Sequence, residues 1–430
     1  MKVSLKKTGA FVLLIAFICI KFYFVFKINS SNGFSSEKIS ISGDAAHYLE
    51  IAKNIAQYNV YSDNNSVVAS ESATWRPPFW PFLLSFLYAV SSTVFSIVIL
   101  KSILEIVCIG LILFQFKKFS KLTFAYMIPF LLVFNEPQYL KYSSTLLSES
   151  FTSILILFLS VCFICLNKHK SYNLLIPVVS TLVIICHPVS IFFVGTLLII
   201  YLIFNLKYSY KRSVVHGILF LALLLVWPCR NSITFNKGIY LTASQGATFS
   251  KGWNKNVVSQ FTNVDGDLAD ETLNLKLIGL EASQVGQVSV LDLSKFYTKA
   301  TFKYLSSIEI NEVFKIMAKK ILSNFNPFPE IPKAGFLEYA AVLARILYVI
   351  LFIQLIRRLF EKTKFNIESI TDKMYLIVLS VFIGQLIMSV YVYTGLRFNA
   401  IYGLTLLFCF IGLNRDYFYF IFSKINNKYV

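Results

Sequence analysis

The chain has 430 residues, of which 56% are hydrophobic, 16% aromatic and only 14% charged, with a formal net charge of +18. So much apolar surface exceeds what one soluble core requires and indicates a polytopic membrane protein. The lysines and arginines lie between apolar runs rather than on one face or in one domain, so the charge reports topology and excludes a nucleic-acid partner.

Residues 1–7 carry three lysines and precede an apolar run over 10–26 that only Lys21 interrupts. No small-residue cleavage site follows and the run reaches membrane length, so a first span with its N-terminus inside is expected rather than a signal peptide. Further spans are expected at about 93–116, 122–135, 149–166, 172–187, 188–206, 213–228, 336–356, 372–393 and 398–414. With these ten, every basic cluster falls on the side of Lys2, Lys6 and Lys7: Lys117/Lys118/Lys121, Lys168/Lys170, Lys207/Lys211/Arg212, Arg357/Arg358/Lys362/Lys364, and the tail with Arg415 and Lys424. Both termini are then cytoplasmic. The stretch 77–90, PPFWPFLLSFLYAV, would invert this order if it crossed, so it is expected as a juxtamembrane or re-entrant helix on the outer face.

That face should hold residues 28–92, 135–148, 230–335 and the turn 394–397. The chain divides accordingly into an N-terminal transmembrane module over 1–229 with its large first outer loop at 28–92, an outer segment at 230–335, and C-terminal transmembrane helices with a tail at 336–430. Within the outer segment, apolar spacing gives helices over 291–305 and 310–325, and NPFPEIP ends the second. The whole is an all-α membrane protein. The seven cysteines form no disulfide framework; Cys162 and Cys165 make a CxxC inside FLSVCFICL, where helix packing is the simpler role than redox or zinc chemistry.

Candidate chemistry lies in the outer loops. Ser42-Gly43-Asp44 opens an apolar-periodic run, which puts Asp44 in a helical first turn with His47 and Tyr48 one turn on. Asp44 either works in a site or merely favours the helix dipole. Arg76 in TWRPPFWP is suited either to a phosphate or to a lipid headgroup. Glu149, at the mouth of a span, is either functional or a solvated loop-end carboxylate. His187 in CHPVS shapes a turn between two spans. No HExxH, P-loop, GxSxG or zinc spacing occurs, which removes most soluble-enzyme classes and ATP-driven transport by this chain alone.

GDAAHYLEIAKNI followed by RPPFWPFLLSFLY resembles the first outer loop of the GT-C superfamily of integral membrane glycosyltransferases, in particular the dolichyl-phosphate-mannose protein mannosyltransferases and the bacterial aminoarabinose transferases. YSSTLLSESFTSILILFL, VWPCRNSITFNKGIYLTASQGATFSKGWN and TGLRFNAIYGLTLLF are similar, in the same order, to later segments of that family.

The resemblance implies a GT-C-like fold and a polyprenyl-phosphate sugar donor, such as an undecaprenyl-phosphate hexose. The acceptor would be a glycan or lipid-linked glycan hydroxyl outside a bacterial inner membrane, as in O-antigen or other lipopolysaccharide. It also implies Asp44 as general base and Glu149 as a second acid that orients the acceptor or holds a divalent cation (Mg or Mn) with Asp44. Arg76, with Arg230 and Arg397, would bind the donor phosphate, and His47, Tyr48 and His187 would contact substrate.

The sequence departs from the family in three places: Ala45 follows Asp44 where several branches have a second acid, His187 stands where Arg-Pro is common, and no proline follows Arg397. Two other functions use the same lipid. A flippase should carry charge near the midplane, and here only Lys21, Lys101, Glu105 and Arg345 stand out. An O-antigen polymerase would share the lipid and the face but take an oligosaccharide donor.

Overall fold

The computed structural model describes residues 15, 18–27, 43–120, 137–166, 170–206, 209–253, 288–325, 336–361, 365–366, 368–392 and 396–414. Among these residues the chain is all-helical, without strands. Three helices are long and apolar enough to cross a membrane: α3 (Val94–Ser120, apolar over Val94–Gln115), α8 (Tyr210–Phe235) and α13 (Ile370–Tyr391). Shorter apolar helices stand at α5 (Glu149–Ile164), α6 (Lys170–Cys186), α7 (Ile191–Leu206) and α14 (Leu396–Leu413), with α12 (Phe336–Phe360) before α13. Sixteen residues of α5 rise about 24 Å, less than a hydrocarbon core of about 30 Å. The span expected at 122–135 lies outside the described residues.

Position follows side-chain distribution. Helix α5 is apolar on every side, nearly all of it is buried, and α14 packs along it; α13 packs on α7. Helix α8 stands at the rim, with Ile218, Leu221, Leu225 and Val226 exposed and Trp227 buried. Exposed aliphatics of that density are tolerated on a face that meets lipid.

A buried polar cluster sits where α3 meets α5. Lys21 Nζ lies 2.5 Å from Glu105 Oε2 and donates to the Tyr139 hydroxyl at 3.0 Å. Ser150 Oγ donates to Glu105 Oε1 at 2.6 Å. One turn earlier on α3, Lys101 Nζ donates to the carbonyls of Tyr142 (2.9 Å), Thr145 (2.6 Å) and Leu147 (3.2 Å). Those carbonyls belong to the last turn of α4 (Pro137–Ser143) and the segment that joins it to α5, so Lys101 fixes the approach to Glu149. A charge at this depth must be saturated by partners, and these are.

The stretches before α3 and between α8 and α12 carry α1 (Asp44–Tyr58), a 3₁₀ turn at Ser72–Trp75, α2 (Phe79–Val90), α9 (Gln245–Gly252), α10 (Val290–Ser307) and α11 (Ile310–Phe325). Gly43 precedes α1 at φ +51°, a conformation that favours glycine. Asn59 ends the helix in the left-handed region, with its N–H on the Ile55 carbonyl. Helix α2 starts after Pro78 and runs for 12 residues, about 18 Å, too short to cross. It buries Trp80 and Leu84 against the bundle and leaves Phe82, Phe86 and Val90 exposed at i, i+4, i+8, which is the pattern of a helix lying along an interface.

The described part of the stretch between α8 and α12 is bound to the loop after α1 rather than separate from it. Lys237 Nζ pairs with Glu71 Oε2 at 2.6 Å, Leu291 N–H donates to Glu71 Oε1 at 3.2 Å, and Ala243 N–H donates to the Thr74 carbonyl at 2.9 Å. Gly246 lets α9 approach α10, since a Cβ there would come 1.9 Å from the Ser294 carbonyl oxygen. Ala247, Leu293 and Tyr297 bury one another there and Trp75 packs against them.

Candidate active site

Helix α1 presents Asp44, His47 and Tyr48 on one side because three and four residues complete one turn. Across from it the chain leaves the Ser72–Trp75 turn in an extended conformation at Arg76, held there by Tyr61, whose hydroxyl donates to the carbonyls of Arg76 (3.0 Å) and Pro77 (3.3 Å). The prolines that follow limit the backbone further. Arg76 Nη2 thereby comes to 2.5 Å from Asp44 Oδ1, and its guanidinium lies 5.3 Å from the Tyr48 ring centre.

Arg76 is held from behind. Its Nε donates to His47 Nδ1 at 3.0 Å, and His47 Nε2 lies 2.9 Å from Asp63 Oδ2. Ser70 and Ser72 each donate a hydroxyl to Asp63 Oδ1 at 2.6 Å. Burial alone would raise the Asp63 pKa, but the hydrogen bonds from His47, Ser70 and Ser72 outweigh it and hold the carboxyl well below the usual range. Burial raises the Tyr48 pKa despite Arg76, and the negative charges of Asp44 and Glu149 add to the rise, so Tyr48 is a neutral hydroxyl.

Asp44, Tyr48 and Arg76 open onto a cavity of about 410 Å³. Its wall mixes polar and apolar residues: Leu241, Thr242, Ser244, Gln245, Ala247, Thr248 and Lys251 line it together with Val189, Ile191, Phe192, Tyr391 and Val392, from the N-terminal end of α7 and the C-terminal end of α13.

The other expected residues are placed as follows. His187 lines the cavity beside Pro188. Glu149 does not; it is wholly buried, with Oε1 3.8 Å from His187 Nε2, an electrostatic contact longer than a hydrogen bond. It lies within electrostatic reach of Lys101 and Tyr48, which gives its charge a structural context the sequence did not suggest. His47 touches Arg76 and not the cavity. Arg230 stacks its guanidinium on Tyr61 (5.6 Å), Trp227 (5.0 Å) and Phe235 (5.3 Å), away from the cavity wall. Arg397 belongs to the first turn of α14, and its side chain lies outside the described residues.

Among the described residues no three His, Cys, Asp or Glu side chains converge as metal ligands; Asp44 meets Arg76, and Glu149 meets His187. Sequence reasoning missed Asp63 and the α9 face of Ser244, Thr248 and Lys251. Only the i, i+4, i+7 spacing of those three hints at a shared face.

No known protein family, no characterised protein and no solved structure matches the chain.

Proposed function

We propose that the chain is a GT-C-like glycosyltransferase with about ten membrane spans, in which Asp44 and Arg76 move a sugar from a polyprenyl phosphate to an acceptor hydroxyl on the outer face of a bacterial inner membrane. The single observation that carries this reading is the Asp44–Arg76 pair, 2.5 Å apart, at the wall of a cavity lined by both polar and apolar residues. Such a pair puts a base and a phosphate-binding cation within one site.

In the free protein the guanidinium neutralises Asp44. A donor phosphate competes for the guanidinium and leaves the carboxylate to accept a hydrogen bond from the acceptor hydroxyl. The acceptor oxygen then attacks the anomeric carbon, its proton passes to Asp44, and the bond from that carbon to the phosphate oxygen breaks with its electron pair. Arg76 stabilises the charge that gathers on the departing polyprenyl phosphate. The displacement is in line and inverts the sugar carbon. The apolar lining from α7 and α13 is the side on which a prenyl chain would lie, and Thr242 to Lys251 the side for sugar and acceptor. The buried charges Lys21, Lys101 and Glu105 bond to one another and to backbone, which favours transfer over a lipid-translocation path through them.

Asp44→Asn preserves size and removes basicity. In a host strain without its own copy of the gene, the variant is expected to reach wild-type protein levels while the surface glycan, read by mass spectrometry, loses one sugar unit. Transfer should fall by roughly 10²- to 10⁴-fold, the range for a lost general base. An unchanged glycan would remove Asp44 from the chemistry and return the flippase and polymerase readings. Stimulation of chelator-treated protein by Mg²⁺ or Mn²⁺ would add a divalent cation to the site.

A further inference from the structure

We infer that Asp63 and His47 are positioning residues, a proton-locked strut that holds Arg76 in place to receive a phosphate; the inference rests on the phosphate-binding role proposed for Arg76. Proton bookkeeping carries it. An arginine Nε is only a donor, so His47 Nδ1, 3.0 Å away, must present its lone pair. The imidazole proton then resides on Nε2, 2.9 Å from Asp63 Oδ2, and an ionised carboxylate only accepts. Each contact therefore requires the next. A proton on His47 Nδ1, in the other tautomer or in the imidazolium, would place two N–H groups head to head.

The strut is anchored at its far end. Ser70 and Ser72 hold Asp63 Oδ1, and the Ser70 hydroxyl also receives the Asp63 N–H at 3.0 Å. This fixes the loop between α1 and the 3₁₀ turn and aims Oδ2 at the ring. With Nε engaged by His47, the guanidinium plane is set and Nη2 faces Asp44. A planar fork gains its advantage over a point charge only when its plane is fixed, because the lost rotamer freedom of the side chain has then already been met. Neither Asp63 nor His47 lines the cavity, so both act through Arg76.

The test combines a spectroscopic and a binding measurement on full-length protein in lipid nanodiscs. With ¹⁵N-histidine labelling, the His47 ring signals are assigned by their loss in His47→Gln. The wild type should show the Nε2–H tautomer. In Asp63→Asn the amide can either accept from or donate to Nε2, so the ring loses its charged acceptor and the Nε2–H form should predominate less than in the wild type. Affinity for the probe, undecaprenyl phosphate, should fall roughly ten- to hundredfold in Asp63→Asn, the span expected when a charge-assisted contact is lost. His47→Gln keeps one acceptor and one donor, so it should bind the probe more tightly than His47→Phe. An Nδ1–H tautomer in the wild type would overturn the inference. So would an Asp63→Asn variant that loses affinity with its tautomer unchanged, since Asp63 would then act by packing, or one that changes in neither respect. If wild type and Arg76→Ala bind the probe equally, the donor-phosphate reading fails, and the tautomer measurement decides the strut by itself.

Discussion

Two ion-pair networks among the described residues are of similar composition and opposite character. Lys21, Lys101 and Glu105 are wholly buried, and their bonds run to one another, to Tyr139 and Ser150, and to three carbonyls. Asp44, Arg76, His47 and Asp63 are partly exposed, and Asp44 and Arg76 face a cavity. In the first network no donor can leave its acceptor without stranding a charge in low dielectric. In the second, a ligand can take the place of Asp44 on Arg76 at modest cost, since exposed pairs contribute only about 0–1 kcal/mol. Saturation makes the first network structural, and exchangeability makes the second the candidate site.

The largest effect is expected from breaking the buried network. Glu105→Gln leaves Lys21 and Lys101 without their carboxylate, at a cost of about 3–5 kcal/mol. Thermal unfolding in detergent should show a large drop in midpoint and low protein yield, and Lys21→Met added to Glu105→Gln should recover part of it. Asp44→Asn by contrast should stay within about 1 kcal/mol of wild type. Equal losses from both changes would erase the distinction.

Arg76→Lys probes the exchangeable side. It keeps the charge but removes the Nε donor to His47 and the planar fork. The donor KM should rise roughly tenfold or more, with the unfolding midpoint unchanged. An unaltered KM would mean that a point charge suffices.

The sequence made some of this legible and hid the rest for identifiable reasons. Helix α1 starts at Asp44 and α11 runs over Ile310–Phe325 as the apolar spacing indicates, because periodicity is a local signal. The shortness of α2, 12 residues after Pro78, was likewise legible from the prolines that open its apolar run. Asp44 and Arg76 could each be singled out, but their contact spans 32 positions and depends on Tyr61 holding the Arg76 carbonyl, which no spacing encodes. Asp63 was hidden in YSDNNS, a polar run whose members look alike until one of them meets His47. Glu149 reads as a loop-end carboxylate because the sequence does not reveal that α3 brings Lys101 beneath the turn leading to it. Arg230 reads as a phosphate ligand because Arg is suited to that role, but the aromatic faces of Tyr61, Trp227 and Phe235 compete for the same planar cation.

Lys320 is a third case that sharpens the comparison, with the smallest expected effect. It is as buried as Lys101, but among the described residues its hydrogen bond is a single long one to the Val390 carbonyl, 3.4 Å, and its ammonium lies 4.0 Å from the Trp253 ring centre. Burial pushes its pKa from 10.5 down to about 7. Between those values the unfolded chain binds a proton that the folded chain lacks, so stability should rise with pH across that window, by at most about 1.4 kcal/mol per pH unit. Below it both states are protonated and the slope vanishes. The Trp253 face favours the ammonium and should make the measured rise smaller than this ceiling. Unfolding midpoints at pH 7, 8 and 9 should therefore climb in wild type relative to Lys320→Met. A flat difference would mean that one carbonyl and one aromatic face hold a buried charge as well as the full set around Lys101 does, and degree of saturation would no longer separate structural from exchangeable charge.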